Sequence, residues 1–218
     1  MRTYYVHMNL TLRVEEQTLQ RAREIASERA TSVNALIRAY LDDLVRQESR
    51  RETARRELVG FAGTRRQWWG GGLGPGTISM TADCLLDTNV LVYAVDADPR
   101  YAARKRTAMS LLESTAFGLS AQILQEFYVT VTRKIATPLS PAAAMAYLDR
   151  FHAFPIVATD FGLVTEAIRN SVRFQVSYWD GAVIAAAERL TAGTLYSEDF
   201  SNGQRYGAVR VINPFVGP

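Results

Sequence analysis

The sequence holds one cysteine, two histidines and no long apolar run, and each shortage removes a class of protein. A single thiol, Cys84, rules out an internal disulfide, and its place beside Leu85 and Leu86 reads as a packed side chain rather than a reactive one. His7 and His152 stand far apart, so a histidine-based hydrolase and a Cys/His metal cluster both lack their residues. No segment approaches the roughly 18 apolar residues of a membrane span, and Met1 to Leu10 carries Arg2 and His7 without an apolar core. Neither a membrane anchor nor a signal peptide is therefore expected, and the expected compartment is the cytoplasm. A Walker-type glycine loop and a dinucleotide fingerprint are also missing.

What is present suffices for a packed core: 218 residues, 48% of them hydrophobic. The net charge of +3 is unevenly spread. Residues 1–80 hold 13 Arg against 9 Asp and Glu, whereas residues 81–218 hold 12 basic and 13 acidic residues, which suggests modules with different partners. Between them, Gly70-Gly71-Gly72-Leu73-Gly74-Pro75-Gly76 favours neither helix nor strand and reads as a linker. The expected division is 1–48, 49–80 and 81–218.

In the first module, Asn9 to Val14 alternates polar and apolar residues, which predicts a strand with Leu10, Leu12 and Val14 inward and Asn9, Thr11 and Arg13 outward. A helix over about Glu15 to Arg29 follows, with Leu19, Ala22, Ile25 and Ala26 on one side. Ser32 is the expected N-cap of a second helix whose Val33, Leu36, Ile37, Tyr40, Leu41, Leu44 and Val45 keep helical spacing. One strand has no pairing partner within so short a unit, so the module is expected to dimerise strand to strand. Met8 to Leu44 resembles the ribbon-helix-helix DNA-binding fold. The resemblance implies that Asn9, Thr11 and Arg13 read operator DNA in the major groove, with the helix start near Ser32 and Asn34 on a phosphate.

Ser49 to Trp69 mixes Arg50, Arg51, Arg55, Arg56, Arg65 and Arg66 with Leu58, Val59, Phe61, Trp68 and Trp69. Such a segment suits an acidic groove, its aromatics anchoring and its arginines meeting carboxylates. Arg65, Arg66, Trp68 and Trp69 are the expected inhibitory residues. Binding of nucleic acid through charge alone is the competing reading.

The second module alternates short strands and helices, which predicts an α/β fold with a mostly parallel sheet flanked by helices. Strands are expected at Cys84 to Leu86, Ala116 to Leu119, Pro155 to Ala158, Thr194 to Tyr196 and Val209 to Ile212. Asp87 ends the first strand, where open α/β sheets place their active sites. Glu126 leans toward the inward face of a helix, Asp180 opens an apolar helix and Asp199 follows a strand. Each has a structural alternative, as a helix cap, paired acid or turn residue. Converging on one sheet edge, the four would repel one another unless hard, oxygen-bound divalent cations, Mg²⁺ or Mn²⁺, sat among them.

Residues 83 to 215 resemble a PIN domain, the ribonuclease fold of VapC-type toxins. The likeness rests on Leu86-Asp87-Thr88-Asn89-Val90-Leu91, Glu126, Tyr178-Trp179-Asp180, Ser197-Glu198-Asp199-Phe200 and Val211-Ile212-Asn213-Pro214-Phe215. It implies Asp87, Glu126, Asp180 and Asp199 as catalytic acids, with Asp87, Asp180 and Asp199 on the metal and Asn89 and Ser197 in support. Glu198 is the alternative to Asp199. The whole order resembles a VapB-type antitoxin joined to its VapC-type toxin: a metal-dependent endoribonuclease acting on RNA, silenced by residues 49–69, in a chain that also binds operator DNA as a homo-oligomer. The alternatives are an autorepressor whose PIN-like module is catalytically silent, and a DNA-cutting nuclease.

Overall fold

The computed structural model describes residues 12–61 and 81–216. The chain divides into two compact units, Met1–Arg46 and Gln47–Pro218. Among the described residues, no helix is long and apolar enough to cross a membrane.

The first unit contains helix α1 (Glu16–Glu28) and the beginning of helix α2 (Val33–Phe61). Ser32 caps α2 as expected, its Oγ accepting from the Ala35 N–H at 3.1 Å. Asn9 and Thr11 lie outside the described residues, and Leu12, Arg13 and Val14 form no strand. A strand is defined by a paired neighbour, and none stands among the described residues of this unit. Ala26 is the only buried side chain described in this unit, and Tyr40, Leu41, Leu44 and Val45 are exposed.

Helix α2 runs well past the end near Val45 that its apolar spacing predicts. No glycine or proline interrupts it before Gly60, and Glu52 pairs with Arg56 one turn on at 2.7 Å. Ala54 and Leu58, four residues apart, are buried in the core of the second unit. Arg55 donates to the Thr115 carbonyl at 2.7 Å and lies over the Phe154 ring, while Arg150 meets Glu57 at 3.3 Å.

The second unit is built on a six-stranded sheet of order β3-β2-β1-β4-β6-β5. Its strands are β1 (Cys84–Leu86), β2 (Phe117–Ser120), β3 (Ile156–Val157), β4 (Thr194–Tyr196), β5 (Arg205–Tyr206) and β6 (Val209–Ile212). All neighbours pair in parallel except β5 with β6, an antiparallel hairpin that alternation of strand and helix does not announce. Helices α3 (Thr88–Val95), α4 (Ala102–Ser114), α5 (Ala121–Arg133), α6 (Pro141–Phe151), α7 (Phe161–Phe174) and α8 (Tyr178–Arg189) connect them. Ser120, Ser140, Asp160 and Ser177 cap α5 to α8 in turn, each accepting from a first-turn N–H. Short strands buried on both faces explain the unbroken apolar reading of Cys84 to Leu86.

β1 is central: β2 and β3 lie to one side of it, β4 and β6 to the other. The crevice at its carboxyl end is thus the topological switch point where α/β sheets bind ligands. Arg55 docks at the opposite edge, on Thr115 just before β2 and Phe154 just before β3. The expectation that Ser49 to Trp69 covers the acidic groove is therefore corrected for residues 49–61. They brace the far edge of the sheet because Ala54 and Leu58 supply apolar surface that the core takes up. Arg65, Arg66, Trp68 and Trp69 lie outside the described residues.

Two substitutions probe this packing. Leu58 is 2% exposed, so Leu58→Ala should lower the stability of the second unit by about 2–4 kcal/mol in urea unfolding. Gly181 lets α8 approach α7 so closely that an added Cβ would stand 2.4 Å from the Ala167 carbonyl oxygen. Gly181→Ala should cost about 1–3 kcal/mol in the same measurement, since neither backbone can yield cheaply.

Candidate active site

β1 delivers Asp87 to the switch point, and the start of α3 fixes it there. The Asp87 backbone N–H donates to the Tyr196 carbonyl at 3.0 Å, tying the end of β1 to the end of β4. Its carboxylate accepts from the Thr88 N–H at 2.7 Å as the cap of α3, and from the Ser197 hydroxyl at 2.6 Å. The cap reading and the site reading of Asp87 are both met by the same side chain.

Ser197 is fully buried and its hydroxyl joins the parts. It donates to Asp87, accepts from the Asp199 N–H at 3.1 Å, and lies 3.5 Å from the Asn89 amide nitrogen. Asn89 also donates to the Asp199 carboxylate at 3.2 Å. Across the crevice, α5 presents Glu126, which accepts from the Thr88 hydroxyl at 3.1 Å and from Gln122 at 2.9 Å. Glu126 is exposed rather than inward, because Ile123, Phe127 and Val131 form the buried stripe of α5.

The structure thus brings Asp87, Asn89, Glu126, Ser197 and Asp199 into one hydrogen-bonded network. Asp180 stands outside it. Its carboxylate closes a capping box with Ser177 at the start of α8, and its charge acts on the Tyr206 hydroxyl. Glu198 is turned elsewhere by an ion pair with Arg104 at 2.6 Å and a hydrogen bond from Tyr93 at 2.7 Å. Arg104 lies over the rings of Tyr93, Tyr101 and Phe215, so the Glu198 partner is itself held by aromatic faces. This leaves Asp199, not Glu198, beside Asn89. Sequence reasoning missed Thr88, Gln122, Tyr93 and Arg104; Thr88 was within reach, as the hydroxyl between Asp87 and Asn89.

Burial raises the Asp87 carboxyl to about 6, with the charges of Asp199 and Glu126 adding to the rise and the Ser197 and Thr88 hydrogen bonds opposing it. The Asn89 Oδ1, also buried, has no hydrogen-bond partner. Unsatisfied buried acceptors are uncommon, and this one lies where two carboxylates already concentrate negative charge. Among the described residues no group of three or more His, Cys, Asp or Glu is arranged to hold a metal ion, so the expected four-acid cage is not formed. A groove of about 410 Å³ opens from this network, lined by Asn89, Glu126 and Asp199 and also by Tyr101 and Lys134.

Residues 84–201, more than half of the chain, match the family model of the PIN domain. The chain belongs to the PIN-domain family. The match begins at β1 and ends just past Asp199, so it spans every member of the Asp87 network. Among solved structures, the PIN domain is similar to the Mycobacterium tuberculosis toxin VapC20, described as cleaving the sarcin-ricin loop. The identity is 21% and the TM-score 0.43, over 52% of this chain and 88% of that one. No curated protein matches the chain.

The raised Asp87 value carries a sign. An unfolded aspartate titrates near 3.8, so between about pH 4 and 6 the folded protein holds a proton that the unfolded chain has lost. The contribution is complete below about pH 4 and disappears as pH rises through 6, a fall of about 3 kcal/mol. Asp87→Asn should flatten this part of the stability profile; urea unfolding of both proteins from pH 4 to 7 measures the difference.

Proposed function

We propose that the PIN domain is a metal-dependent endoribonuclease, held silent in the full chain by residues 62–69, and that the first unit binds operator DNA as a dimer. The observation that carries the reading is the buried Asp87, whose carboxyl is raised and whose neighbours Asn89, Ser197, Glu126 and Asp199 all offer oxygen. A hard divalent cation suits such donors, and Mg²⁺ keeps several waters while using only one or two carboxylates, so a full protein cage is not required. Asp87, Asp199 and the unpartnered Asn89 Oδ1 would hold it, with Glu126 at its margin; Asp180 would join only from outside the network.

When bound, the ion supplies a water acidic enough to attack a phosphodiester and charge to stabilise the departing oxygen. The chain's own part is positioning. Ser197 holds Asp87 and the Asp199 backbone in one arrangement, and Thr88 holds Glu126 at the crevice wall, where its carboxylate can take a proton from water. Burial of Asp87 excludes solvent from the ligand most sensitive to it.

The inhibitory reading is supported by charge and by reach. The groove carries Glu126 and Asp199 without cationic partners among the described residues, which suits Arg65 and Arg66. Residues 62–80 offer 19 residues, about 60 Å of contour at ~3.3 Å each, whereas strands of three or four residues span only about 10–13 Å. A segment leaving one edge of the sheet can thus reach the other and return within one chain. The DNA-binding reading is supported by the exposed apolar residues Tyr40, Leu41, Leu44 and Val45, which a second copy would cover, and by the capped start of α2 at Ser32 with Asn34 exposed beside it. Arg13 is exposed.

Removing residues 1–79 would strip Ala54 and Leu58 from the core, so the test keeps the chain whole. With Mg²⁺ and structured RNA, the full chain carrying Arg65→Ala, Arg66→Ala, Trp68→Ala and Trp69→Ala should cleave at least about tenfold faster than the unmodified chain; equal rates end the inhibition claim. Adding Asp87→Asn should lower that rate about a hundredfold or more, and retained cleavage removes Asp87 from the chemistry. Mg²⁺ should raise the unfolding midpoint at pH 7 in the Asp87 protein and not in Asp87→Asn.

A further inference from the structure

The groove that opens from the Asp87 network is not uniformly acidic, although acids predominate on its walls. Two of its acids already have an internal cation. Asp98 is gripped by the Arg100 guanidinium at 2.6 and 3.0 Å, and Glu198 by Arg104 at 2.6 Å. Among the described residues, Glu126 and Asp199 accept only from neutral groups, Thr88, Gln122 and Asn89. Their end of the groove thus carries negative charge that no described cation meets.

Lys134 stands at the other end. It is the C-cap residue of α5, exposed, and its ammonium group has no hydrogen-bond or ion-pair partner among the described residues. Glu126, Thr130 and Lys134 follow one another at intervals of four and all line the groove, so they share one face of α5. Eight residues of helix place Lys134 about 12 Å beyond Glu126 along the axis. A polynucleotide covers that distance in about three to four nucleotides at ~3.4 Å of rise each. The Tyr101 ring also lines the groove, tilted 53° against Tyr93 with centroids 5.2 Å apart. A free cation and an aromatic face at a fixed distance from an acidic centre are the elements that hold a single strand by its phosphate and its base.

We infer that the groove between α3 and α5 is the path of the RNA strand, with Lys134 gripping a backbone phosphate a few nucleotides from the scissile bond and Tyr101 stacking a base beside it. This inference rests on the ribonuclease reading and specifies the residues that bind the strand rather than cut it. Lys134 is a binding residue, so its loss raises KM and leaves kcat largely in place; Tyr101 also lies under Arg104, so its loss reaches the Glu198 ion pair as well.

The test measures binding of a short fluorescent single-stranded RNA to the full chain, and to the full chain with Arg65, Arg66, Trp68 and Trp69 changed to alanine, both carrying Asp87→Asn so that the RNA is not consumed. In the opened chain, Lys134→Ala should weaken binding about threefold to tenfold and flatten the slope of log K against log salt by about 0.7, the share of one phosphate on a single strand. Lys134→Glu should weaken it further, and Lys134→Arg should restore both affinity and slope. Tyr101→Ala should cost about tenfold without changing the slope, and Tyr101→Phe should be neutral, since stacking uses the ring. The same substitutions on Asp87 protein should raise KM for cleavage. If Lys134→Ala and Lys134→Glu leave affinity, salt slope and KM unchanged while cleavage proceeds, the strand path is wrong and the nuclease reading stands. If the opened chain neither binds nor cuts RNA with any divalent cation, both fall.

Discussion

The hydrogen bond from Ser197 to Asp87 ties together what the rest of the second unit only approaches. It crosses from the end of β4 to the end of β1, two strands whose parallel pairing places their carboxyl ends side by side. The same hydroxyl accepts from the Asp199 backbone, so one buried group sets the rotamer of one acid and the backbone direction of another. Asn89 then links Asp199 back to α3. A buried network of this kind is costly unless every member is satisfied, and here one acceptor, the Asn89 Oδ1, is left over. The imbalance is directional: among the described residues it leaves the crevice with an acceptor that no donor meets.

The aromatic cluster around Arg104 belongs to the same logic. Three residues in succession, Ser197, Glu198 and Asp199, are each held by hydrogen bonds or an ion pair: Ser197 to Asp87, Glu198 to Arg104 and Asp199 to Asn89. Arg104, over the rings of Tyr93, Tyr101 and Phe215, takes the middle one. The closing Asn213-Pro214-Phe215 stretch thereby acts on the site through a cation and a carboxylate without approaching Asp87, and the Tyr93 hydroxyl is pushed up to about 12 by burial and by Glu198. Glu198 bonds to Arg104 and Tyr93 while Asp199 meets Asn89, so the two adjacent acids have separate partners.

Much of this fold was legible beforehand because local rules and tertiary packing agree in the second unit. The apolar runs before Asp87 and Ser197, expected as strands, are strands. The failures have physical causes. Helix α2 outlasts its first apolar face because Ala54 and Leu58 begin a second one that serves a different core. Glu126 is spaced as an inward residue, yet α5 turns Ile123 and Phe127 inward instead. Asp180 keeps the cap role its position suggested, and one sequence cannot decide between capping and coordination when the same residue type does both. The β5 hairpin was invisible because two residues carry no periodicity.

Helix α2 gives the molecule an unusual dependence on chain order. Ala54 and Leu58 are core residues of the enzyme-like half although they precede the glycine-rich stretch that looks like its boundary. A protease advancing from the N-terminus would extract that buttress before it met β1, so cutting the front of this chain would also loosen the core around Asp87.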